Sequence, residues 1–255
     1  MVTALDNDDF VAAFRRGEAI EGRDLSDIEW NDLPEGRLVA RDCVFKGARF
    51  AEAALEGAVF ERCTFTGCKF GVASFSLAQF KHCTFFDTEE REGCDFFGTE
   101  LAGALFERCN LSMCKFAGAS LHNARFVGCK APGVSFEEAR FARKVGRQSM
   151  TGGELTECNL EMASFRGVDL DDCSLEGSNL RSADFSRASL KGANLQRADL
   201  SEAVVSGASF ENTDLRGASL SGFNLRQVTT YQGLKVSESE AGALVRGLGI
   251  RVFPG

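Results

Sequence analysis

The side chains most capable of chemistry in this sequence are ten cysteines, which could form disulfides or bind a metal ion. A large apolar residue follows nine of the ten cysteines two positions later, and Ala131 follows Cys129; at equivalent places in the sequence an alanine replaces the cysteine. This placement is typical of small buried core residues. The ten are Cys43, Cys63, Cys68, Cys83, Cys94, Cys109, Cys114, Cys129, Cys158 and Cys173.

Disulfides and a zinc site are both disfavoured. Cys43, Cys63 and Cys83 recur every 20 residues, as Cys94 with Cys114 and Cys109 with Cys129 also do, and stacked coils would bring them within disulfide reach. No export signal is evident, however, and a reducing compartment would keep the thiols free. No CxxC motif accompanies the two histidines, so we predict no metal and no cofactor.

Catalysis has little support among the remaining polar residues. His82 and His122 fall at outward positions of the repeat, without a nucleophile or carboxylate nearby in the pattern. The many glycines follow the repeat as turn residues and form no phosphate-binding loop. We therefore predict a protein that is not an enzyme.

A five-residue repeat positions all of these side chains. Between residues 183 and 200 a large apolar residue returns at every fifth position, and alanine stands two residues before each one. This period fits neither a helix nor a strand. One inward residue in five cannot bury a face alone, so the units must stack and share a continuous core.

The pattern Ala-Asp-Phe-Ser-Arg, Ala-Ser-Leu-Lys-Gly, Ala-Asn-Leu-Gln-Arg at 183–197 resembles the pentapeptide-repeat family. The resemblance implies an all-β solenoid, a right-handed quadrilateral β-helix with four repeats in each 20-residue coil. We assign residues 18–228 to this solenoid; Ile20, Leu25 and Trp30 keep the five-residue step before an interruption at residues 33–36, as a degenerate first coil or an ordered lead-in. Residues 1–17 and 229–255 flank it.

Short helical caps are predicted at both ends. Asp6 or Asn7 would begin an N-terminal helix whose Phe10 and Phe14 cover the first coil. Residues 237–240 form a capping box that would begin a C-terminal helix, and residues 250–253 alternate like a short strand. This tail is either a simple cap or a surface for a two-fold homodimer. The dimerisation candidates are Leu244, Val245, Leu248, Ile250, Val252 and Phe253.

Two interruptions of the repeat are the candidate partner-binding loops. Phe96 follows Phe85 after eleven residues, and Leu155 follows Phe141 after fourteen, so we predict loops at 86–93 and 142–153. The first is acidic and the second basic, and loops on a rigid scaffold often bind partners. Tolerated insertions are the alternative. The candidate residues are Phe86, Asp87, Glu89, Glu90, Arg91, Glu92, Arg143, Lys144, Arg147 and Met150.

Three stretches, at 83–96, 106–113 and 141–155, together with the tail Ala-Leu-Val-Arg-Gly-Leu-Gly-Ile-Arg-Val-Phe at 243–253, resemble the Qnr quinolone-resistance proteins. The resemblance implies binding to DNA gyrase or topoisomerase IV and protection of the enzyme from quinolones or a natural toxin. It also implies partial imitation of DNA, which the mixed signs of the outward charges support only in part. The alternative is a non-catalytic adaptor that contacts another protein through the N-terminal extension.

Composition limits the other classes of partner. The net charge of −8 and the pI near 5.0 argue against direct binding of nucleic acid, which favours a basic surface. No apolar run approaches 18 residues, and no signal peptide is evident. We therefore expect a cytoplasmic protein without a membrane partner.

Overall fold

The computed structural model describes residues 3–31, 33–34, 36–145 and 148–251, with the side chains of residues 144–151 outside the description. The described helices are α1 (Asn7–Arg15), α2 (Glu238–Gly247) and one 3-10 turn at Leu225–Gln227. The strands are short and are, in chain order, β1 (Thr3–Ala4), β2 (Ile20–Glu21), β3 (Arg23–Asp24), β4 (Val39–Arg41), β5 (Val44–Lys46), β6 (Val59–Glu61), β7 (Thr64–Thr66), β8 (Gln79–Lys81), β9 (Phe86–Asp87), β10 (Glu92–Gly93), β11 (Leu105–Glu107), β12 (Arg125–Val127), β13 (Ala142–Val145), β14 (Gln148–Thr151) and β15 (Glu154–Thr156).

Parallel pairing between successive coils builds a four-sided β-solenoid. A seven-stranded sheet in the order β2-β4-β6-β8-β11-β12-β15 forms one face, and isolated bridges continue the pairing from Glu154 to Ser174 and beyond. Ile20 pairs with Ala40, so the first coil already begins at Ile20. We number the faces by their inward residues. The first holds Ile20, Ala40, Phe60, Phe80, Phe106, Phe126 and Leu155; the second Leu25, Phe45, Phe65, Phe85 and Leu111; the third Phe50, Phe70, Phe96, Phe116 and Phe136; the fourth Leu55, Phe75, Leu101, Leu121 and Phe141.

The axis of the solenoid is filled by stacked apolar side chains. Phe185 and Leu195 are completely buried, as the repeat predicts. On the third face the phenylalanine rings lie nearly parallel, one in each coil. The stack runs through both interruptions, with ring centroids 4.2 Å apart between Phe70 and Phe96 and 5.2 Å apart between Phe136 and Phe165. The interruptions therefore leave the core intact.

Most corners of the coils have a left-handed backbone at the second residue after an inward residue. Glycine often takes this position, as at Gly103 (φ +66°), because it lacks the Cβ that makes the conformation costly. Larger residues also occupy it, including Met113 (φ +58°) and Met162 (φ +56°). Their side chains point outward at the corners, where both are exposed.

Helical caps close both ends, as the sequence predicts. Asp6 begins α1 and accepts a hydrogen bond from the Asp9 backbone N–H at 2.9 Å, and the Phe10 ring lies 5.1 Å from the Trp30 ring. At the other end the capping-box carboxylate of Glu240 accepts hydrogen bonds from the backbone N–H groups of Ser237 and Gly217. This contact joins α2 to the last coils.

Cysteine side chains form a continuous column beside the second face. Six thiols follow one another in successive coils, and each donates a hydrogen bond to a backbone carbonyl of the preceding coil, as Cys63 does to Ala40 O at 3.4 Å. Ser178 continues the column and donates to Leu155 O in the same way. The sequence suggests only separate groups, because the two interruptions hide the 20-residue spacing. The column is Cys43, Cys63, Cys83, Cys109, Cys129 and Cys158.

Candidate partner-binding hairpins

The first interruption is a β-hairpin, which we call hairpin 1 (residues 86–93). Its strands β9 and β10 pair antiparallel, with Phe86 opposite Gly93, and Cys94 N donates to Phe85 O at 3.0 Å where the chain re-enters the solenoid. Asp87 Oδ1 accepts hydrogen bonds from the backbone N–H groups of Glu89 (2.9 Å) and Glu90 (3.2 Å). Asp87 therefore shapes the turn, whereas Glu89, Glu90, Arg91 and Glu92 are exposed.

Gly93 sets how closely hairpin 1 lies against the next coil. A Cβ atom at this position would lie 2.3 Å from Cys114 N and 2.5 Å from Ser112 O, both backbone atoms that cannot move aside cheaply. A side chain at residue 93 would thus lift the hairpin off the solenoid. Sequence reasoning places Gly93 in a loop but cannot detect this contact, which joins residues of different coils.

The second interruption is a longer hairpin, which we call hairpin 2 (residues 142–151). Strands β13 and β14 pair antiparallel from Ala142 opposite Thr151 to Val145 opposite Gln148. Gly152 O accepts a hydrogen bond from Asn123 N at 2.8 Å, and Gly153 O accepts one from Ser174 N. The predicted loop 142–153 is therefore two residues too long, because both glycines already belong to the solenoid.

The predicted basic residues of hairpin 2 are described only in part. Arg143 is exposed near the base of β13, opposite Met150 in the strand pairing. Only the backbone of Lys144 and Met150 is described, and Arg147 lies outside the described residues. Beside Arg143 is a shallow cavity of about 550 Å³ on the fourth face, with His122, Arg140 and Glu100 in its lining. Its wall carries charges of both signs.

The two hairpins project from diagonally opposite corners of the solenoid. Hairpin 1 leaves after Phe85 on the second face and returns to the third, whereas hairpin 2 leaves after Phe141 on the fourth face and returns to the first. Phe85 and Phe141, after which the two hairpins leave the solenoid, are ten five-residue repeats apart. With four repeats in each coil, this distance equals two complete coils and two further faces. One flat partner surface cannot lie against both hairpins, so a partner that contacts both must reach around the rod.

The C-terminal dimerisation candidates separate into anchoring and available residues. Leu244 is buried against the solenoid within the chain itself, so it anchors α2 and is not available to a second copy. Val245 and Leu248 are half-buried, and Ile250 is 55 % exposed. The predicted strand at 250–253 is not formed at Ile250 or Arg251, and Val252 and Phe253 lie outside the described residues.

Two of the buried thiols, those of Cys114 and Cys173, are unsuited to chemistry at neutral pH. Burial raises the pKa of the Cys173 thiol to about 12 and raises the pKa of Cys114 above its ordinary value. All ten cysteines are buried and free. Among the described residues no group of three or more His, Cys, Asp or Glu side chains is arranged to hold a metal ion. In the same part of the chain, neither helix has the length and hydrophobicity to cross a membrane.

Known proteins match most of the chain. A family model described as a pentapeptide repeat region matches residues 163–240, and one described as pentapeptide repeats (8 copies) matches residues 43–81 and 94–130. The full-length structure of QnrB1, a plasmid-mediated fluoroquinolone resistance protein, is 30% identical with a TM-score of 0.77. The match covers 84% of this chain and 100% of that one.

A trypsin-treated variant of QnrB1 is similar to the same degree, at 29% identity and a TM-score of 0.77, over 83% of this chain and 99% of that one. No curated protein sequence matches the chain. The repeat models together cover more than half of the sequence, and the four-sided β-solenoid with two short helical caps matches QnrB1. The chain therefore belongs to the pentapeptide-repeat family and is Qnr-like within it.

Proposed function

We propose that this protein binds a bacterial type II topoisomerase, DNA gyrase or topoisomerase IV, and protects it from quinolones or a natural toxin. The observation that carries the proposal is the similarity to QnrB1 over the whole length of that fluoroquinolone resistance protein. The protein would act without catalysis or a cofactor, in the cytoplasm, where its partner works.

The hairpins support this proposal better than the electric field of the whole rod does. Several outward charges form ion pairs across neighbouring coils, such as Arg62 with Asp42 at 2.7 Å and Arg125 with Glu154 at 2.7 Å. Such pairing reduces the uniform negative field that imitation of DNA requires. Hairpin 1 differs, because Glu89, Glu90 and Glu92 form no ion pair among the described residues.

The alternative, an adaptor that uses its N-terminal extension, has less support. Helix α1 packs its Phe10 and Phe14 into the solenoid core, and β1 pairs with β3. The apolar side chains of the extension thus cover the first coil and are not free to contact a partner. The hairpins, in contrast, lie outside the five-residue repeat.

The test is supercoiling by purified gyrase, and decatenation by topoisomerase IV, with ciprofloxacin and increasing amounts of the protein. Two deletions restore the five-residue step and leave a glycine at the left-handed corner: removal of 87–92 joins Phe86 to Gly93, and removal of 143–151 joins Ala142 to Gly152. We expect the second deletion to abolish protection and the first to weaken it. A parent protein that protects neither enzyme would exclude the proposal.

We also propose a two-fold homodimer through the exposed side of α2 and the residues that follow. The half-buried Val245 and Leu248 and the exposed Ile250 offer an apolar strip that a second copy could cover. Ile250→Asp should give a monomer by light scattering at micromolar concentration, with an unchanged melting temperature. A parent that is already monomeric under these conditions contradicts the dimer.

A further inference from the structure

Large apolar side chains are exposed around hairpin 1, at positions that the repeat usually gives to small or charged residues. Phe97 is 56 % exposed, Val72 is 60 % exposed and Met113 is 49 % exposed. Most other phenylalanines fill the axis of the solenoid. Exposed apolar groups that cluster in this way usually mark an interaction site rather than a feature of the fold.

These residues border one face of the rod. Phe97 and Val72 lie at the corner between the third and fourth faces in adjacent coils, where a Cβ on Gly98 would lie 3.3 Å from Val72 Cγ1. Met113 and hairpin 1 lie at the corner between the second and third faces, around a cavity of about 270 Å³. We call the surface between these two margins the third-face band.

The dimensions of the band match an α-helix. Phe97 lies four positions after Gly93, at the base of hairpin 1, so the two margins are at most about 14 Å apart. A helix with its side chains is about 10–12 Å wide. The band extends over three coils, through Lys69, Asp95 and Lys115, which pair in parallel along the rod. At strand spacing, three coils span about 10–15 Å, which is two to three helical turns.

The chemistry of the two margins differs. One margin carries apolar Val72 and Phe97. The other carries Met113 and, above it, the exposed carboxylates of Glu89, Glu90 and Glu92, with Arg91 as the one cation of the hairpin. The floor carries Lys69 and Lys115, whose aliphatic stems add apolar surface, and Asp95, whose carboxylate accepts a hydrogen bond from Phe97 N.

We propose that the third-face band binds an amphipathic helix of a protein partner. The apolar side of that helix contacts Phe97, Val72 and Met113, and basic residues along one edge face the acidic turn of hairpin 1. Charge complementarity fixes the orientation of the bound helix, because its basic edge must face the acidic turn of hairpin 1. That the helix belongs to a type II topoisomerase rests on the proposed function, whereas the chemistry of the band does not.

The structure supplies variants that remove the apolar contacts without loss of the fold. Phe97→Ala introduces the residue that Ala117 provides at the equivalent position one coil later. Met113→Gly removes a side chain where the left-handed backbone favours glycine. Met162→Gly is the matched control, because Met162 has the same backbone conformation, is 64 % exposed and lies at the same corner two coils away.

The first measurement is fluorescence anisotropy with a labelled 18-residue helical peptide of leucine and lysine, and with a matched peptide of leucine and glutamate. We expect the lysine peptide to bind the parent more tightly than the glutamate peptide. Phe97→Ala combined with Met113→Gly should weaken the affinity for the lysine peptide about tenfold. Glu90→Lys should reduce the difference in affinity between the lysine and glutamate peptides. Equal binding of both peptides, or an equal loss with Met162→Gly, overturns the proposal.

The second measurement repeats gyrase protection with the same variants and separates the two proposals. Loss of protection with Phe97→Ala and Met113→Gly, but not with Met162→Gly, assigns the band to the topoisomerase. If the lysine peptide binds the band and the parent protects no topoisomerase, the proposed function is wrong, but the proposal that the band binds a helix is supported. If the parent protects and the band variants protect equally well, the assignment of the band to the topoisomerase is overturned and the proposed function is supported.

Discussion

The two halves of the solenoid use the same repeat with different residues. From residue 45 to 141 the inward positions are mostly phenylalanine, and both hairpins leave from this half. From residue 155 to 225 they are mostly leucine, and the repeat continues without a break. Eight of the ten cysteines, from Cys43 to Cys129, and the apolar side chains of the third-face band precede the leucine half.

The difference shows how the fold tolerates insertions. Hairpin 1 lengthens one side by six residues and hairpin 2 lengthens another by nine, yet the stacked rings on both sides of each insertion stay at coil spacing. A slip of register would break these ring stacks and move inward residues outward. We infer that the stacked phenylalanine rings maintain the register where the chain is interrupted. The leucine half has no interruption and therefore needs no ring stack for this purpose.

The largest expected effect comes from a charge in the leucine half. Leu195 is completely buried, so Leu195→Asp places an unpaired carboxylate on a dry axis. The variant should lose about 3–5 kcal/mol of unfolding free energy, measured by chemical denaturation. Gln196→Asp is the control. The Gln196 side chain points outward, so this substitution should change stability little. A parent-like denaturation curve for Leu195→Asp would contradict the stacked core.

A smaller loss is expected when one ring is removed from the phenylalanine half. The Phe96 ring stacks on Phe70 at 4.2 Å and on Phe116 at 4.6 Å, so Phe96→Leu should cost about 1–2 kcal/mol. Phe185 stacks on Phe165 alone among the described rings, at 5.0 Å, and Phe185→Leu should cost less. Equal losses in the two denaturation curves would show that the ring stack has no special role near hairpin 1.

Attachment of the C-terminal helix should depend on pH. Hydrogen bonds from the Ser237 and Ser239 side chains lower the pKa of Glu240 to about 2, although burial opposes the shift. A carboxylate with a lowered pKa stabilises the folded state above pH 4.5, and this stabilisation is lost as the pH falls towards 2. Hydrogen exchange of the α2 amides, corrected for intrinsic rates, should therefore accelerate in acid.

The control for this effect is Glu240→Gln, which cannot ionise. Its α2 amides should already exchange faster than those of the parent at pH 6, and acid should change them little further. Identical exchange in parent and variant at pH 6 would mean that Glu240 does not hold α2 on the solenoid.

The smallest expected effect on stability comes from removing the hairpins. Deletion of 87–92 or 143–151 leaves every inward residue in place and closes a shorter loop, so the free energy of unfolding should change by about 1 kcal/mol or less. The measurement is chemical denaturation of each purified deletion protein. A loss as large as that from Leu195→Asp would show that the hairpins are part of the folded core.

The sequence alone determined the solenoid, because the five-residue period leaves one inward side chain per side and no other way to bury it. Phe185, Leu195 and all ten cysteines are buried as that period requires. Local signals also located the two helical caps, since Asp6 and the Ser237–Glu240 pair act on backbone groups within a few residues. The positions of both interruptions followed from the loss of the period.

Only the tertiary structure decided what the interruptions are and what surrounds them. The placement of the two hairpins at opposite corners, the contact of Gly93 with Cys114, and Phe97 beside Val72 all depend on pairing between coils. Such contacts join residues 20 or more positions apart, and each insertion changes that separation. The physical reason is that a repeat defines which side chains point inward, whereas the outward surface is assembled across coils.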